Sequence, residues 1–269
     1  MGREIPILFS TEMVRAILAG RKTMTRRVIK PQPDGRHRRV DFEYGFLKES
    51  SRINGCWEVE RRSKCPYGQP GDLLWVRETW YYENHMHDLT AGEPDLPGGL
   101  YSHRFIFRAS IPDYPVDVGV GEHGWKPSIF MPKIAARLWL EVVSVRVERL
   151  QDITEDDAIA EGLACLTKDN GITYKYGIPD SDGLPGNDDC GWHWHNWDTD
   201  PIKAFHTLWD SINAKPKAVL QTVDDHTEII SYVSYPWEDI QETREYRGKP
   251  WVVCGNPWLW VVEFRRGER

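Results

Sequence analysis

The chain lacks an excess of basic charge. Its 34 Lys and Arg face 41 Asp and Glu, which leaves a net charge of −7 and a pI of about 5.7. A protein that coats nucleic acid by charge alone is basic, so any nucleic-acid contact here is local or the ligand is small. No apolar run approaches the ~18 residues of a membrane span. Met1-Gly-Arg-Glu-Ile-Pro holds no apolar stretch of the kind a secretory signal needs. Cysteine is scarce: Cys56, Cys65, Cys165, Cys190 and Cys254 are odd in number and widely spaced, which predicts reduced thiols in a cytoplasmic protein. No Gly-rich phosphate loop follows a strand, which argues against a doubly wound sheet. No nucleophile elbow, Ser-His-Asp order or internal repeat is present.

Tryptophan is abundant instead, at 13 residues. Packing in the core and under loops accounts for most of them, and one or two are candidates for stacking on a ligand. Ile5–Phe9 reads as a short strand. Ser10 or Thr11 can cap a helix with Met13, Ile17 and Leu18 on one face, and Gly20 can end it in the left-handed conformation. From Arg21 to Ile29, Thr23, Thr25 and Arg27 alternate with Met24, Arg26 and Val28, the period of a strand. Pro31 and Pro33 stop it.

Further on, strands are predicted at Leu73–Arg77, at Phe105–Ala109, within Ala135–Arg149 and at Pro257–Phe264. Thr154 opens a short helix with Asp157 at its third position, a capping-box-like arrangement, which runs to Glu161 and Gly162. Lys203–Ile212 reads as a second amphipathic helix, with Phe205, Leu208, Trp209 and Ile212 on one side. Residues 83–100, 112–124 and 166–200 read as loops, and 213–248 carry no clear period. Strands dominate this order, and a small closed barrel with helices at its mouth fits it best.

One segment carries more than secondary structure. Gly20-Arg21-Lys22-Thr23-Met24-Thr25-Arg26-Arg27 resembles the Gly-x-Lys-Thr-x-Thr-x-Arg signature of the ASCH family. Gly71-Asp72-Leu73-Leu74, Leu150–Gly162 and Trp260–Phe264 resemble further family elements in family order, and Trp125–Lys133 is similar to a run in ASCH-like proteins encoded by phages and prophages. The resemblance implies an α+β fold: a PUA-like small β-barrel with flanking helices and long loop insertions. It implies a single domain over 1–269 with insertions at about 31–66, 80–130 and 165–250.

The family includes amidohydrolases that deacetylate N(4)-acetylcytidine without a cofactor or metal. Carried over by motif, their catalytic set falls on Lys22, Thr25 and Glu161, with Arg27, Thr23, Arg26 and Arg21 as substrate-binding candidates. In such a set Thr25 offers a nucleophilic hydroxyl, Lys22 a base if burial and neighbouring cations lower its pKa, and Glu161 either a proton for the leaving amine or the activation of water. Without the resemblance, Lys22 and Thr25 read as a solvated turn and an ordinary strand residue, and Glu161 as an exposed helix residue.

Arg21, Lys22, Arg26, Arg27, Lys30, Arg36, Arg38 and Arg39 form a basic cluster opposed only by Asp34. It suits RNA, a nucleotide or a solvated loop equally. Cys190-Gly-Trp-His-Trp-His195, with His206 beyond, lacks the paired spacing of a zinc site and reads better as a Trp-rich packing loop. Three functions therefore stand at this point: an amidohydrolase for an acylated cytidine, a module that holds RNA or a modified base without chemistry, and an RNA-cleaving enzyme.

Overall fold

The computed structural model describes residues 2–33, 39–43, 46–53, 56–86, 101–111, 124–187, 191–223 and 226–267. In chain order the strands are β1 (Glu4–Leu8), β2 (Met24–Val28), β3 (Arg39–Glu43), β4 (Phe46–Ile53), β5 (Cys56–Lys64), β6 (Leu73–Arg77), β7 (Trp80–Met86), β8 (Tyr101–Phe107), β9 (Trp139–Arg149), β10 (Ala164–Thr167), β11 (Tyr174–Gly177), β12 (Lys217–Val223), β13 (His226–Ser234), β14 (Gln241–Tyr246), β15 (Lys249–Cys254) and β16 (Trp258–Gly267). Among the described residues the α-helices are α1 (Thr11–Leu18), α2 (Glu155–Ala160) and α3 (Pro201–Asn213). The fold is mixed α and β and rich in strands. No helix among these residues is long and apolar enough to cross a membrane.

The central sheet has five strands in the order β1-β6-β9-β16-β2. β1 runs parallel to β6, and the other neighbours are antiparallel. Among the described residues β1 and β2 are unpaired edges, so the sheet is open and the closed barrel expected from the element order is not formed. The alternation along β9 explains its shape. Leu138, Leu140 and Val142 are buried with the same parity, whereas Val145 and Val147 pack on that core with the opposite one. A strand can change parity only by carrying an extra residue. The β9–β16 register shifts at Glu263/Phe264, where Ser144 and Val142 are the successive partners, and Val143 between them is turned out and exposed.

β16 is buried on both faces. Trp260, Val262 and Phe264 join Ile7, Ile17, Leu74 and Leu140 in the main core. Leu259 faces the other way, into a second core with Leu150, Ala158, Phe205 and Trp209 from the α2 and α3 side. Burying a side chain of this size is worth about 1.5–3 kcal/mol, which fixes both helices against the sheet.

The Ser10 hydroxyl caps α1 by accepting the N–H of Met13 at 3.4 Å. The buried face of α1 is Val14, Ala16 and Ile17. Leu18, expected on the apolar face, is exposed at the last turn of the helix. Gly20 takes φ 73° and donates its N–H to the Ile17 carbonyl at 3.0 Å, so the chain leaves the helix there. Ile212, expected on the buried side of α3, is exposed as well, whereas Phe205 and Trp209 are buried.

The segments read as insertions carry sheets of their own. β3-β4-β5 forms one antiparallel sheet, β7-β8 and β10-β11 form hairpins, and β12-β13-β15-β14 forms a four-stranded sheet over the stretch with no clear period. Residues 83–86 of the loop expected at 83–100 belong to β7, and residues 87–100 and 112–123 lie outside the described residues. The strand expected at Phe105–Ala109 is β8, which ends at Phe107 in a turn of 3-10 helix.

Candidate active site

The turn after α1 and the end of α2 come together through backbone first. The N–H of Thr23 donates to the Ala160 carbonyl at 3.0 Å, and Lys22 bridges Glu161 in the manner of an antiparallel pair. Gly162 makes this approach possible. Its φ is 110°, and a Cβ there would stand 2.9 Å from the Ala16 Cβ and 3.1 Å from the Lys22 Cβ. The Thr154 hydroxyl caps α2 by accepting the Asp157 N–H at 3.2 Å, as expected. Asp157, Glu155 and Asp156 occupy the first turn, where the helix dipole favours them.

The side chains then meet. Lys22 has no exposed side-chain surface, and its amine donates to Glu161 Oε2 at 2.6 Å and to the Glu161 carbonyl at 2.8 Å. Burial pushes the Lys22 amine below its ordinary pKa, the Glu161 carboxylate opposes that, and Arg27 and Arg26 add to the lowering. Arg26 reaches Glu161 Oε1 at 3.4 Å, Glu148 at 3.2 Å and Asp157 at 2.5 Å. Arg146 donates to the same Asp157 oxygen at 2.5 Å and also pairs with Glu148 and Glu263. Five charged residues thus tie β2, β9, α2 and β16 behind Glu161.

Two cavities flank this pair. One, of about 480 Å³, is lined by Thr25, Arg26, Arg27, Glu161, Lys30 and Lys217, with an aromatic wall of Tyr67, Phe205, Trp209, Tyr235 and Trp260. The other, of about 540 Å³, includes Phe9, Arg15, Arg21, Thr79 and Trp192. Arg27 and Glu161 border both. Arg27 is half-buried: its Nη2 donates to the Leu8 carbonyl at 2.6 Å, and its guanidinium carbon lies 5.1 Å from the centre of the Phe9 ring and 5.9 Å from that of Tyr67. Its Nε is buried without a hydrogen-bond partner. Burial lowers its pKa, against the pull of Tyr67 and Glu161.

Of the residues read from the motif, Lys22, Thr25, Glu161, Arg26 and Arg27 converge here. Thr25 is buried, on the cavity wall. Lys22 lines neither cavity and meets the first only through Glu161; both acceptors on its amine belong to Glu161. The Thr23 side chain is exposed and lines neither cavity; its backbone serves the turn, accepting the Phe264 N–H at 2.9 Å. Arg21 lines only the second cavity.

The basic cluster is not one surface. Lys22 and Arg26 are turned inward onto carboxylates, and Lys30 is exposed. Arg36, Arg38 and the Arg39 side chain lie outside the described residues, as does Cys190. The His193 and His195 rings lie 4.3 Å apart and tilted to one another, while His206 stacks on Trp237 at 4.9 Å and pairs with Asp210. Among the described residues no group of three or more His, Cys, Asp or Glu is placed to hold a metal ion. Trp197 is buried, with its ring where a side chain on Gly177 would be. Sequence reasoning missed Arg146 and Glu148, whose signal is a polar pair at spacing two within an apolar strand. It also missed Lys217 and Tyr235, whose segment has no period. No family model, curated protein or solved structure matches the chain.

Proposed function

We propose that this chain is an amidohydrolase that removes an acyl group from the exocyclic amine of a modified cytidine, of the N(4)-acetylcytidine kind. The observation that carries the proposal is the buried Lys22–Glu161 pair, at 2.6 Å, opening through Glu161 onto a cavity that Thr25 also lines. About 480 Å³ lies in the range of small-molecule sites, and the aromatic wall offers flat apolar surface to a base.

In this reading the Thr25 hydroxyl attacks the acyl carbon and its proton passes to the Lys22–Glu161 pair. Burial lowers the affinity of the Lys22 amine for a proton, which suits a base. Glu161, at the cavity surface, returns a proton to the leaving amine. Arg27 faces the developing oxyanion. Water then releases the acyl group from Thr25.

The test is acetate release from N(4)-acetylcytidine by the full chain. Thr25→Val keeps the side-chain shape and is expected to lower turnover at least about 100-fold without a change in melting temperature. Lys22→Ala is the poorer probe, because a buried carboxylate left without its partner costs about 3–5 kcal/mol. No acetate from the unmodified chain, or full turnover by Thr25→Val, overturns the proposal. A second reading has its own support: the Lys22 amine is engaged on Glu161 and not on Thr25, an arrangement that suits a module holding a modified base or RNA without chemistry. Saturable binding of the base with no product favours that reading.

A further inference from the structure

The charges around the smaller cavity do not balance. Its Glu161 is bonded to Lys22, and its Arg26 is bonded to Asp157 and Glu148. That leaves Arg27, Lys30, Lys64 and Lys217 on the lining. Among the described residues neither Lys30 nor Lys217 has a carboxylate partner. The Lys217 amine donates to Asn213 Oδ1 at 2.8 Å, and the Lys30 amine stands 5.9 Å from the centre of the Tyr235 ring. Lys217 comes from β12 and Lys30 from the far end of the motif segment, so two distant stretches of chain deliver like charges to one mouth. Burial pushes the Lys217 amine down, and repulsion from Lys30 and Arg27 pushes it further. Like charges brought together here, with Lys217 half-buried and Lys30 exposed, cost free energy unless an anion joins them. A neutral nucleoside supplies none.

We propose that the site takes its base as a nucleoside monophosphate, with the phosphate held between Lys30 and Lys217 at the cavity mouth. A phosphate monoester carries about −1.5 to −2 charges near neutral pH, which matches two lysines with Arg27 behind them. The aromatic wall holds the base deeper, toward Thr25 and Glu161. The inference rests on the reading of this cavity as a base site, and it adds the phosphorylation state of the substrate.

The experiment is a binding titration of the full chain with cytidine 5′-monophosphate and with cytidine, neither of which carries an acyl group. The nucleotide is expected to bind about tenfold more tightly, and rising salt narrows the ratio. Lys217→Gln and Lys30→Gln each bring the ratio toward one, whereas Lys215→Gln, an exposed neighbour outside the cavity lining, leaves it intact. Equal binding of the two ligands, no binding of either, or a ratio that both cavity variants leave unchanged overturns the proposal. So does dependence on Lys217 that appears only with a short RNA, since that places a phosphodiester there instead. Nucleotide selectivity without acetate release keeps this inference and sinks the hydrolase. Acetate release from the nucleoside and nucleotide alike, with equal binding, does the reverse.

Discussion

A lysine with no exposed side-chain surface is costly unless its charge is answered or removed. Nothing near Lys22 in sequence shows that it is buried, because its partner Glu161 is 139 residues away. Locally, Gly20-Arg21-Lys22-Thr23 is a polar turn after a helix. Only the resemblance of the motif singled Lys22 out, and the same motif overstated Thr23, whose side chain is in solvent.

Cys65 shows burial outweighing weaker partners, here a backbone hydrogen bond from Tyr67 and the charge of Arg3. It sits in the main core, and burial raises its thiol pKa from 9.0 to about 11. The folded state therefore keeps a proton that the unfolded chain gives up. This contribution to stability is complete below pH 9 and is lost as pH rises through about 11. Denaturant unfolding between pH 8.5 and 11 is expected to show a decline that Cys65→Ala reduces by roughly 2 kcal/mol. At pH 8 an alkylating reagent is expected to label the exposed Cys165 of the native protein and spare Cys65. Rapid labelling of Cys65 in the folded chain would count against its burial.

Among the elements, legibility followed amphipathic contrast. α1, β9, α2, α3 and β16 were readable because each sets apolar residues at a helix or strand period or carries a cap, β6 as a compact apolar run between turn residues and polar sequence, and β2 from the alternation of its side chains. β12, β14 and most of β13 were not. β14, Gln241–Tyr246, has five exposed residues in six, so no buried face repeats along it. Such strands are held by their backbone ladders and their neighbours, and local sequence does not record that.

The bend between α2 and β10 was legible as a glycine but not as a constraint. Gly162→Ala would strain a residue at φ 110° and drive a methyl into Ala16. The cost is expected at about 2–4 kcal/mol. Because the same methyl presses on Lys22, the hydrolase reading proposed above expects acetate release to fall further than the folded fraction does. A variant as stable and active as the parent would mean that α1 and the α2 end are not packed through this glycine.

At the scale of the molecule, the open sheet needs its edge strand β2 fixed, because β2 carries Thr25, Arg26 and Arg27 and, among the described residues, has β16 alone beside it. Arg26, Arg146, Glu148, Asp157 and Glu263 supply that second anchor. Burial acts against the charge of Arg146, but Glu148, Asp157 and Glu263 outweigh it and raise its pKa. Asp157 is the node, since one of its oxygens accepts from both guanidinium groups. Asp157→Asn leaves Arg26, whose side chain has no exposed surface, short of a negative partner. The expected loss is about 3 kcal/mol of unfolding free energy. Asp156→Asn is the matching control. It lies in the same first turn and gives up a similar helix-dipole interaction, but it is exposed. Its loss is expected within about 0.5–1 kcal/mol. The difference between the two variants therefore isolates the network. If denaturant titrations give equal losses, β2 is held by its ladder to β16 alone, and the alignment of Thr25 with Glu161 must come from the Lys22 turn.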